Sequence, residues 1–174
     1  YFPQTLQAIN SAQSSIYLSM YFIALANTEG NSRVLQLVNA LISAHNRGVK
    51  VKVILDRTYT FLETTQGDAR NHDTRNQIAY NYLKANGIEV YYDGLRNYTH
   101  TKCLIIDEQI IILGSTNWTT SALTKNNEAN VLIISESLAK ELIADFKNIE
   151  LDLELPEYLE DVPSVEFSID IMPI

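Results

Sequence analysis

Hydrophobic and polar residues in the first half of the chain alternate between helical spacing and strand-like runs. Residues 5–12 carry apolar side chains at helical spacing, and an apolar strand over residues 16–22 follows them. The helical spacing returns over residues 34–42, and after Gly48 the valine-rich segment 49–55 is predicted as the next strand. A helix, a glycine and a valine-rich strand in this order are typical of a βαβ unit with parallel strands.

The middle of the chain repeats this helix-to-strand step, and two apolar runs separated by a short turn then follow. A helix over residues 78–83, ended by Gly87, leads to a strand over residues 88–92. Two apolar runs follow at residues 103–106 and 110–113, with a polar three-residue turn between them. Their length and spacing predict a buried β-hairpin.

The last part of the pattern completes the predicted domain. An apolar strand covers residues 131–134, and Ser135 is a suitable N-cap for a helix over residues 138–146. These elements predict an α/β fold, with a mixed, largely parallel β-sheet flanked by helices on both faces. We place the domain over residues 1–149. Residues 150–174 interleave proline, acidic and apolar residues, which predicts an acidic tail that serves as a linker or a strand-forming arm.

Composition and charge narrow the possible functions. The 174 residues are 46% hydrophobic, which is enough for one buried core. No apolar run approaches the ~20 residues of a membrane-spanning helix, so we expect no membrane span. The net charge is -8, but residues 1–149 hold 13 acidic and 13 basic residues, and residues 150–174 hold eight acidic residues and no basic one. The predicted domain is therefore neutral, which keeps nucleic acid among its candidate partners.

Polar residues suited to chemistry lie on both sides of the hairpin. His100 and Lys102 precede its first strand, and their spacing in an extended chain places both side chains on one face, about 7 Å apart. Gly114 and Ser115 end its second strand, with Asn117 two residues further on. Short polar side chains and exposed amides in a tight turn suit an anionic oxygen. A nucleophile, a cation and an anion-binding turn are thus predicted at one place.

This pattern, HxKxxxxD followed after six residues by GSxN, resembles the motif of the phospholipase D superfamily. The matching residues are His100, Lys102, Asp107, Gly114, Ser115 and Asn117. The resemblance extends in weaker form over residues 1–147. It implies phosphodiester hydrolysis or transfer with no metal and no cofactor, in which one histidine forms a phosphohistidine and the histidine of a second motif protonates the leaving group.

The chain holds one copy of the motif, so the resemblance implies a homodimer in which two copies of His100 face one phosphate in a shared active site. Lys102 and Asn117, assisted by Ser115, would hold the non-bridging oxygens. Glu128 opens the next strand and would accept the second imidazole N–H of His100. The roles of Lys102, Asn117 and Ser115 are carried over from the family motif, and that of Glu128 is inferred from its position at the start of the next strand.

Other polar residues have a structural alternative. Asp107 is expected to anchor the hairpin turn, and Gly114 to end the second strand. Asp56 and Arg57 stand at the carboxyl end of a predicted parallel strand, where ligands bind in such sheets, although a structural ion pair is the favoured explanation for them. His72 lies in a long polar segment, residues 58–76, which we interpret as a groove-shaping loop or as disorder.

The size of the chain and its single motif resemble the dimeric nuclease branch of the superfamily, which predicts DNA or RNA as substrate. Trp118 is assigned to substrate binding, and several other aromatic residues could stack on bases or pack internally. These others are Tyr59, Phe61, Tyr91, Tyr92 and Tyr98. Two alternatives remain open: a phospholipase D or phosphatidyltransferase acting on lipid, and a non-catalytic nucleic-acid-binding module that keeps the motif as a phosphate clamp.

The remaining observations concern cysteine, metals and location. Cys103 is the single cysteine, which excludes an internal disulfide, and three scattered histidines offer no zinc site. Asn97 and Asn117 begin N-glycosylation sequons beside the predicted site, where glycans would block it. This favours a cytoplasmic, bacterial setting. An additional domain beyond either terminus stays open.

Overall fold

The structure is a computed structural model, and the residues it describes are 1–25, 32–57, 59–61, 70–72, 76–94 and 98–152, with the backbone alone at 59–61 and 70–72. Several expectations lie outside the described residues. They are the side chains of Tyr59, Phe61 and His72, the Asn97 sequon, most of the segment 58–76 and the tail beyond residue 152.

The described residues form helices α1 Phe2–Ser11, α2 Arg33–Asn46, α3 Gln77–Ala85, α4 Thr120–Thr124 and α5 Glu136–Asn148. The strands are β1 Ser15–Met20, β2 Lys50–Leu55, β3 Tyr59–Phe61, β4 Arg70–His72, β5 Glu89–Asp93, β6 Lys102–Ile106, β7 Ile110–Gly114, β8 Asn130–Ile134 and β9 Leu151–Asp152. Every helix and strand predicted from the apolar pattern is present, with ends shifted by a few residues. Elements α4, β3, β4 and β9 were not predicted.

Seven strands form one sheet in the order β8-β7-β6-β1-β2-β5-β9, and β3 pairs with β4 separately. The mixed α/β sheet expected from the sequence is confirmed. Its centre, β1-β2-β5, is parallel, and the pairings of β6, β7, β8 and β9 are antiparallel. The parallel share is smaller than expected because β6, β7 and β8 follow one another without a crossover helix of the length that parallel strands need.

Helices cover both faces of this sheet. On one face, α1, α2 and α3 bury Ile9, Leu41 and Leu83 against the strands. On the other face, α5 buries Ile143 and Phe146. Successive side chains on a strand point to opposite faces, so β1, which is buried at all six positions, contributes to both cores. The central strands are therefore held from both sides.

Local signals set where the helices and strands begin. The Ser32 hydroxyl accepts a hydrogen bond from the Leu35 N–H (3.1 Å) and caps α2. Gly48 follows α2 with a φ of +91°, a conformation that L side chains rarely adopt. The Ser135 hydroxyl accepts from the Leu138 N–H (3.3 Å) and caps α5 in the same way. These caps fix the entry of α2 and α5 and the turn that leads from α2 into β2.

The ends of six strands meet at one edge of the sheet. Strands β1, β2 and β5 end there, and β6 begins there, with Lys102 opposite Met20 of β1. Strand β7 ends at Gly114, which lies opposite Asn130, the first residue of β8. We call this edge the motif edge, because the HxK and GSxN segments both emerge at it. Ligands of open α/β sheets bind at such an edge.

Asp107 lies at the opposite edge of the sheet. It occupies the β6–β7 turn with a φ of +52°, and its carboxylate accepts hydrogen bonds from the N–H groups of Gln13 (3.0 Å), Ser14 (2.7 Å) and Ser15 (3.0 Å). Five residues of extended strand separate it from Lys102, about 17 Å. Asp107 therefore ties the hairpin to the connection between α1 and β1.

Paired structure continues past residue 149. Strand β9 pairs with β5, with Asp152 opposite Tyr92. Arg57 forms an ion pair with Asp152, and its guanidinium lies 5.6 Å from the centre of the Tyr92 ring. The first residues of the expected tail thus belong to the sheet, and Arg57 contributes to holding them there.

Candidate active site

His100 stands two residues before β6, at the motif edge, with an exposed side chain. Its imidazole meets the Tyr21 ring edge-on, with 4.5 Å between the ring centres. The chain beside it is held to the end of β1, because the Tyr21 N–H donates to the Thr101 carbonyl (2.9 Å) and the Thr101 hydroxyl hydrogen-bonds the Ser19 hydroxyl. An accessible imidazole is thereby carried on a fixed piece of backbone.

Lys102 is buried directly behind His100. Its ammonium donates to the His100 carbonyl (3.1 Å) and lies 4.7 Å from the centre of the Tyr21 ring. Burial lowers the pKa of Lys102, while the charges of Asp56 and Glu128 oppose that change. Both His100 and Lys102 contact Tyr21, although His100 lies outside the strand.

The glycine-serine step closes tightly against the start of β8. Ser115 donates its N–H to the Ala129 carbonyl (3.0 Å) and accepts from the Ala129 N–H through its hydroxyl oxygen (3.0 Å). A Cβ at Gly114 would overlap the Ala129 carbonyl oxygen and the Asn130 side chain. Only glycine therefore fits at this position of the turn.

Asn117 and Trp118 run alongside the continuation of β1. The Trp118 N–H donates to the Phe22 carbonyl (3.0 Å), and the Ala24 N–H donates to the Trp118 carbonyl (2.8 Å). Both arms of the motif therefore contact the same stretch of chain, one through Tyr21 and the other through Phe22. The Asn117 side-chain oxygen is buried and has no hydrogen-bond partner among the described residues.

Trp118 does not face a substrate. Its side chain is fully buried, and the indole N–H donates to the Tyr1 hydroxyl (3.1 Å). The assignment of Trp118 to substrate binding is wrong, because burying the ring in the core leaves no face on which a base could stack. The other arm of the motif offers an exposed aromatic residue instead: Tyr98 is 65% exposed, two residues before His100.

Glu128 also differs from its predicted role. Its carboxylate accepts hydrogen bonds from the Ser115 hydroxyl and from the Asn126 amide (3.0 Å), and these two donors lower its pKa. No hydrogen bond joins it to His100 in the described part of the chain. The carboxylate instead fixes the GSxN turn and adds a negative charge near Lys102.

The described part of the chain holds no group of three or more histidine, cysteine or acidic residues arranged to bind a metal ion. None of the helices it describes is both long enough and apolar enough to cross a membrane.

Two residues of the site gave no signal in the sequence. Tyr21 looked like one more apolar strand position, yet its ring contacts both His100 and Lys102. Asn76 is 4% exposed, and its side chain accepts from the Ile23 N–H (2.9 Å) and donates to the carbonyls of Tyr21 (2.8 Å) and Asp56 (2.9 Å). A single buried asparagine thus joins the ends of β1 and β2. A pattern of apolar residues cannot reveal such a contact across 55 positions.

Comparison with known proteins agrees with the motif. Residues 5–150 match the family model described as cardiolipin synthase, PLD-like domain. The chain therefore belongs to the phospholipase D family. The match covers all of the structural elements described above except the first three residues of α1 at one end and β9 at the other.

Individual relatives come from animals and bacteria. The mouse mitochondrial cardiolipin hydrolase is 30% identical over 154 residues, which cover 88% of this chain and 59% of that protein. The phospholipase D of Rickettsia conorii is 31% identical over 140 residues, covering 80% and 59%. This chain thus spans less than two thirds of the length of these relatives. Among solved structures, the phospholipase D family member Nuc from Salmonella typhimurium has a TM-score of 0.65 at 28% identity, with 84% of each chain covered.

Proposed function

We propose that this chain is a metal-independent phosphodiesterase in which His100 is the nucleophile. The observation that supports this most directly is the convergence of His100, Lys102 and the GSxN turn on residues 21–24 at the end of β1. Phosphodiesters resist cleavage because the phosphate is anionic and the leaving alkoxide is poor. An exposed imidazole with a buried ammonium behind it addresses the first obstacle, because the ammonium offsets the negative charge of the phosphate.

The chemistry takes two steps. In the first, the His100 imidazole attacks phosphorus, a P–N bond forms, the P–O bond to the leaving group breaks, and a second imidazolium gives its proton to the departing oxygen. In the second, that imidazole takes a proton from water, the hydroxide attacks phosphorus and the P–N bond breaks. Lys102 and Asn117 stabilise the non-bridging oxygens, and Ser115, held by Glu128, orders the turn beside them.

The second imidazole comes from another copy of the chain. One histidine cannot be bonded to phosphorus and protonate the leaving group in the same step. His45 lies in the last turn of α2, close to Gly87 and away from the motif edge. Among the side chains that the structure describes, His100 has no imidazole partner at the motif edge, and the His72 side chain lies outside them. The single copy of the motif supports a two-fold dimer with one shared site, and His72 is the alternative source of the acid.

Nucleic acid is the substrate class that we propose for this site. The single motif in a short chain supports it, as does the exposed Tyr98 beside His100, whose ring is free to stack on a base. The cleft next to it, about 460 Å³, is lined by neutral polar residues such as Thr99 and Thr101 and also by the acidic residues Asp93, Asp145 and Glu150, so the case for nucleic acid rests on the motif count and on Tyr98.

A lipid phosphodiester is the second candidate. It is favoured by the relatives that carry the names cardiolipin hydrolase and phospholipase D. Such a substrate needs an apolar surface near the site for its acyl chains. The exposed apolar residues Val131, Leu132 and Ile134 of β8 are the surface that this chain offers.

The experiment that separates these candidates is one panel of labelled substrates in excess EDTA: single- and double-stranded DNA, RNA, and vesicles that contain cardiolipin or phosphatidylcholine. We expect the wild type to cleave nucleic acid and the His100→Ala variant not to cleave it. Cleavage of lipid alone would replace the first candidate by the second. Binding without cleavage, unchanged in His100→Ala, would support a phosphate clamp and refute the proposal of an enzyme.

A further inference from the structure

Two buried carboxyl groups lie directly behind the proposed nucleophile. Asp56 follows β2, and Asp93 ends β5, its parallel neighbour, so both side chains stand at the motif edge. Each residue is 2% exposed. Their oxygens converge on a single backbone group, the N–H of Thr99, at 2.9 Å from Asp56 and 2.8 Å from Asp93. Thr99 is the residue immediately before His100.

The two carboxyl groups therefore lie side by side, and we expect one of them to hold a proton, because two buried carboxylates at this distance repel each other. Burial raises the pKa of Asp93, and the donors Thr99 and Arg57 only partly oppose this change. The Arg57 N–H binds the second oxygen of Asp93 at 2.6 Å. A dyad of this kind carries one negative charge instead of two.

We propose that Asp56 and Asp93 are positioning residues that share one proton and set the orientation of His100 through the Thr99 N–H. This inference rests on the proposed function. His100 lies between two anchored residues, since the dyad holds Thr99 and the end of β1 holds Thr101. One residue fixed on both sides has little freedom to move its side chain away from a phosphate.

The single charge of the dyad also suits the cation beside it. Asp56 interacts electrostatically with Lys102, whose ammonium binds the His100 carbonyl. A second negative charge would neutralise the cation that the phosphate needs and would repel the substrate. A dyad in which one carboxyl group is protonated therefore leaves Lys102 more positive charge for the phosphate than two carboxylates would.

The test compares Asp56→Asn with Asp56→Ala. Asparagine is neutral and of the same shape, so at position 56 its oxygen can accept from the Thr99 N–H while its amide donates to Asp93, and both Asp93 oxygens keep the N–H groups of Arg57 and Thr99. We expect Asp56→Asn to keep kcat within about threefold of the wild type, and Asp56→Ala to lower kcat about 10- to 100-fold with KM changed less than about threefold, because displacing a reacting group by 1 Å costs up to 10²-fold. Glu89→Gln, on the neighbouring strand β5 but in a surface ion pair with Lys52, is the matched control and should change neither.

A second readout does not depend on activity. The Thr99 amide should exchange slowly with solvent in the wild type and in Asp56→Asn, and much faster in Asp56→Ala. If Asp56→Ala does not fold, Asp93→Ala, which removes the other acceptor of the Thr99 N–H, takes its place with the same expected loss of kcat. Wild-type kcat together with a protected Thr99 amide in the alanine variant would overturn the proposal, and so would equal losses in the asparagine and alanine variants. A wild type without phosphodiesterase activity would refute the proposed function, while the amide exchange would still test the dyad.

Discussion

Asp107 provides a sharp test of which motif residues act on substrate. It belongs to the motif, yet it lies about 17 Å from Lys102 along the strand, at the opposite edge of the sheet. Its carboxylate accepts from the N–H groups of Gln13, Ser14 and Ser15 and from the Ser14 hydroxyl. Replacing it with alanine removes every one of these bonds without touching the motif edge.

The expected loss of stability follows from those bonds. Hydrogen bonds to a charged group contribute about 1.5 to 3 kcal/mol each, but these donors are partly exposed and water replaces much of the loss. We therefore expect Asp107→Ala to lower the free energy of unfolding by about 3 kcal/mol, which corresponds to roughly 6 to 12 °C in Tm for a domain of this size. Burial raises the pKa of Asp107, but the backbone donors outweigh it and lower the pKa overall. Its stabilisation is thus present above the ordinary value of about 3.9 and is lost as the pH falls through the lower folded-state pKa.

Urea unfolding at neutral pH and again in acid measures this effect, with activity assayed well below Tm. Glu108→Ala is the control, because Glu108 shares the positive φ of the turn (+54°) and its side chain is exposed. We expect the control to be nearly neutral, and wild type and Asp107→Ala to become equally stable in acid. Asp107→Ala should keep wild-type kcat. Loss of kcat in a variant of unchanged stability would refute the structural role.

Further predictions concern other single positions. Gly114→Ala should abolish activity and lower Tm, because its Cβ overlaps the Ala129 carbonyl, whereas Gly48→Ala, which has open space around it, should lose only about 1 kcal/mol of stability to its positive φ; calorimetry with a rate assay checks both. Burial raises the pKa of the Cys103 thiol to about 11, so native protein should react with a disulfide reagent at pH 8 far more slowly than unfolded protein, and equal rates would contradict this. Because burial lowers the pKa of Lys102, the rate should fall with rising pH before the ordinary lysine value of about 10.4, and a flat profile up to that pH would count against a charged Lys102 in catalysis.

The sheet and its helices could be predicted from the sequence because their buried residues recur at the regular spacing of strands and helices. Val53 and Leu55 at alternate positions, or Leu37 and Leu41 at helical spacing, indicate both the element and its buried face. The same logic missed α4, whose five residues are too few to establish a period. It also overstated the parallel share of the sheet, since strand direction depends on connections and not on the apolar pattern.

The site was predicted where chemistry requires particular residue types and missed where it depends on distant partners. His100 and Lys102 could be proposed as site residues because their spacing and identities form a motif. The burial of Trp118 depends on Tyr1, 117 positions away, and the dyad of Asp56 with Asp93 depends on two parallel strands being neighbours. Contacts of that kind depend on the fold as a whole, so no local sequence pattern predicts them.

The central claim is that cleavage takes place at a site shared by two copies of His100. Mixing wild-type and His100→Ala chains in equal amounts, with time for subunit exchange, tests this claim most directly. If each active dimer needs two copies of His100, activity per total protein should fall to about one quarter of the pure wild-type value, since random pairing leaves about a quarter of the dimers fully wild type. A fall to about one half would mean that each chain works alone, and it would contradict the shared site.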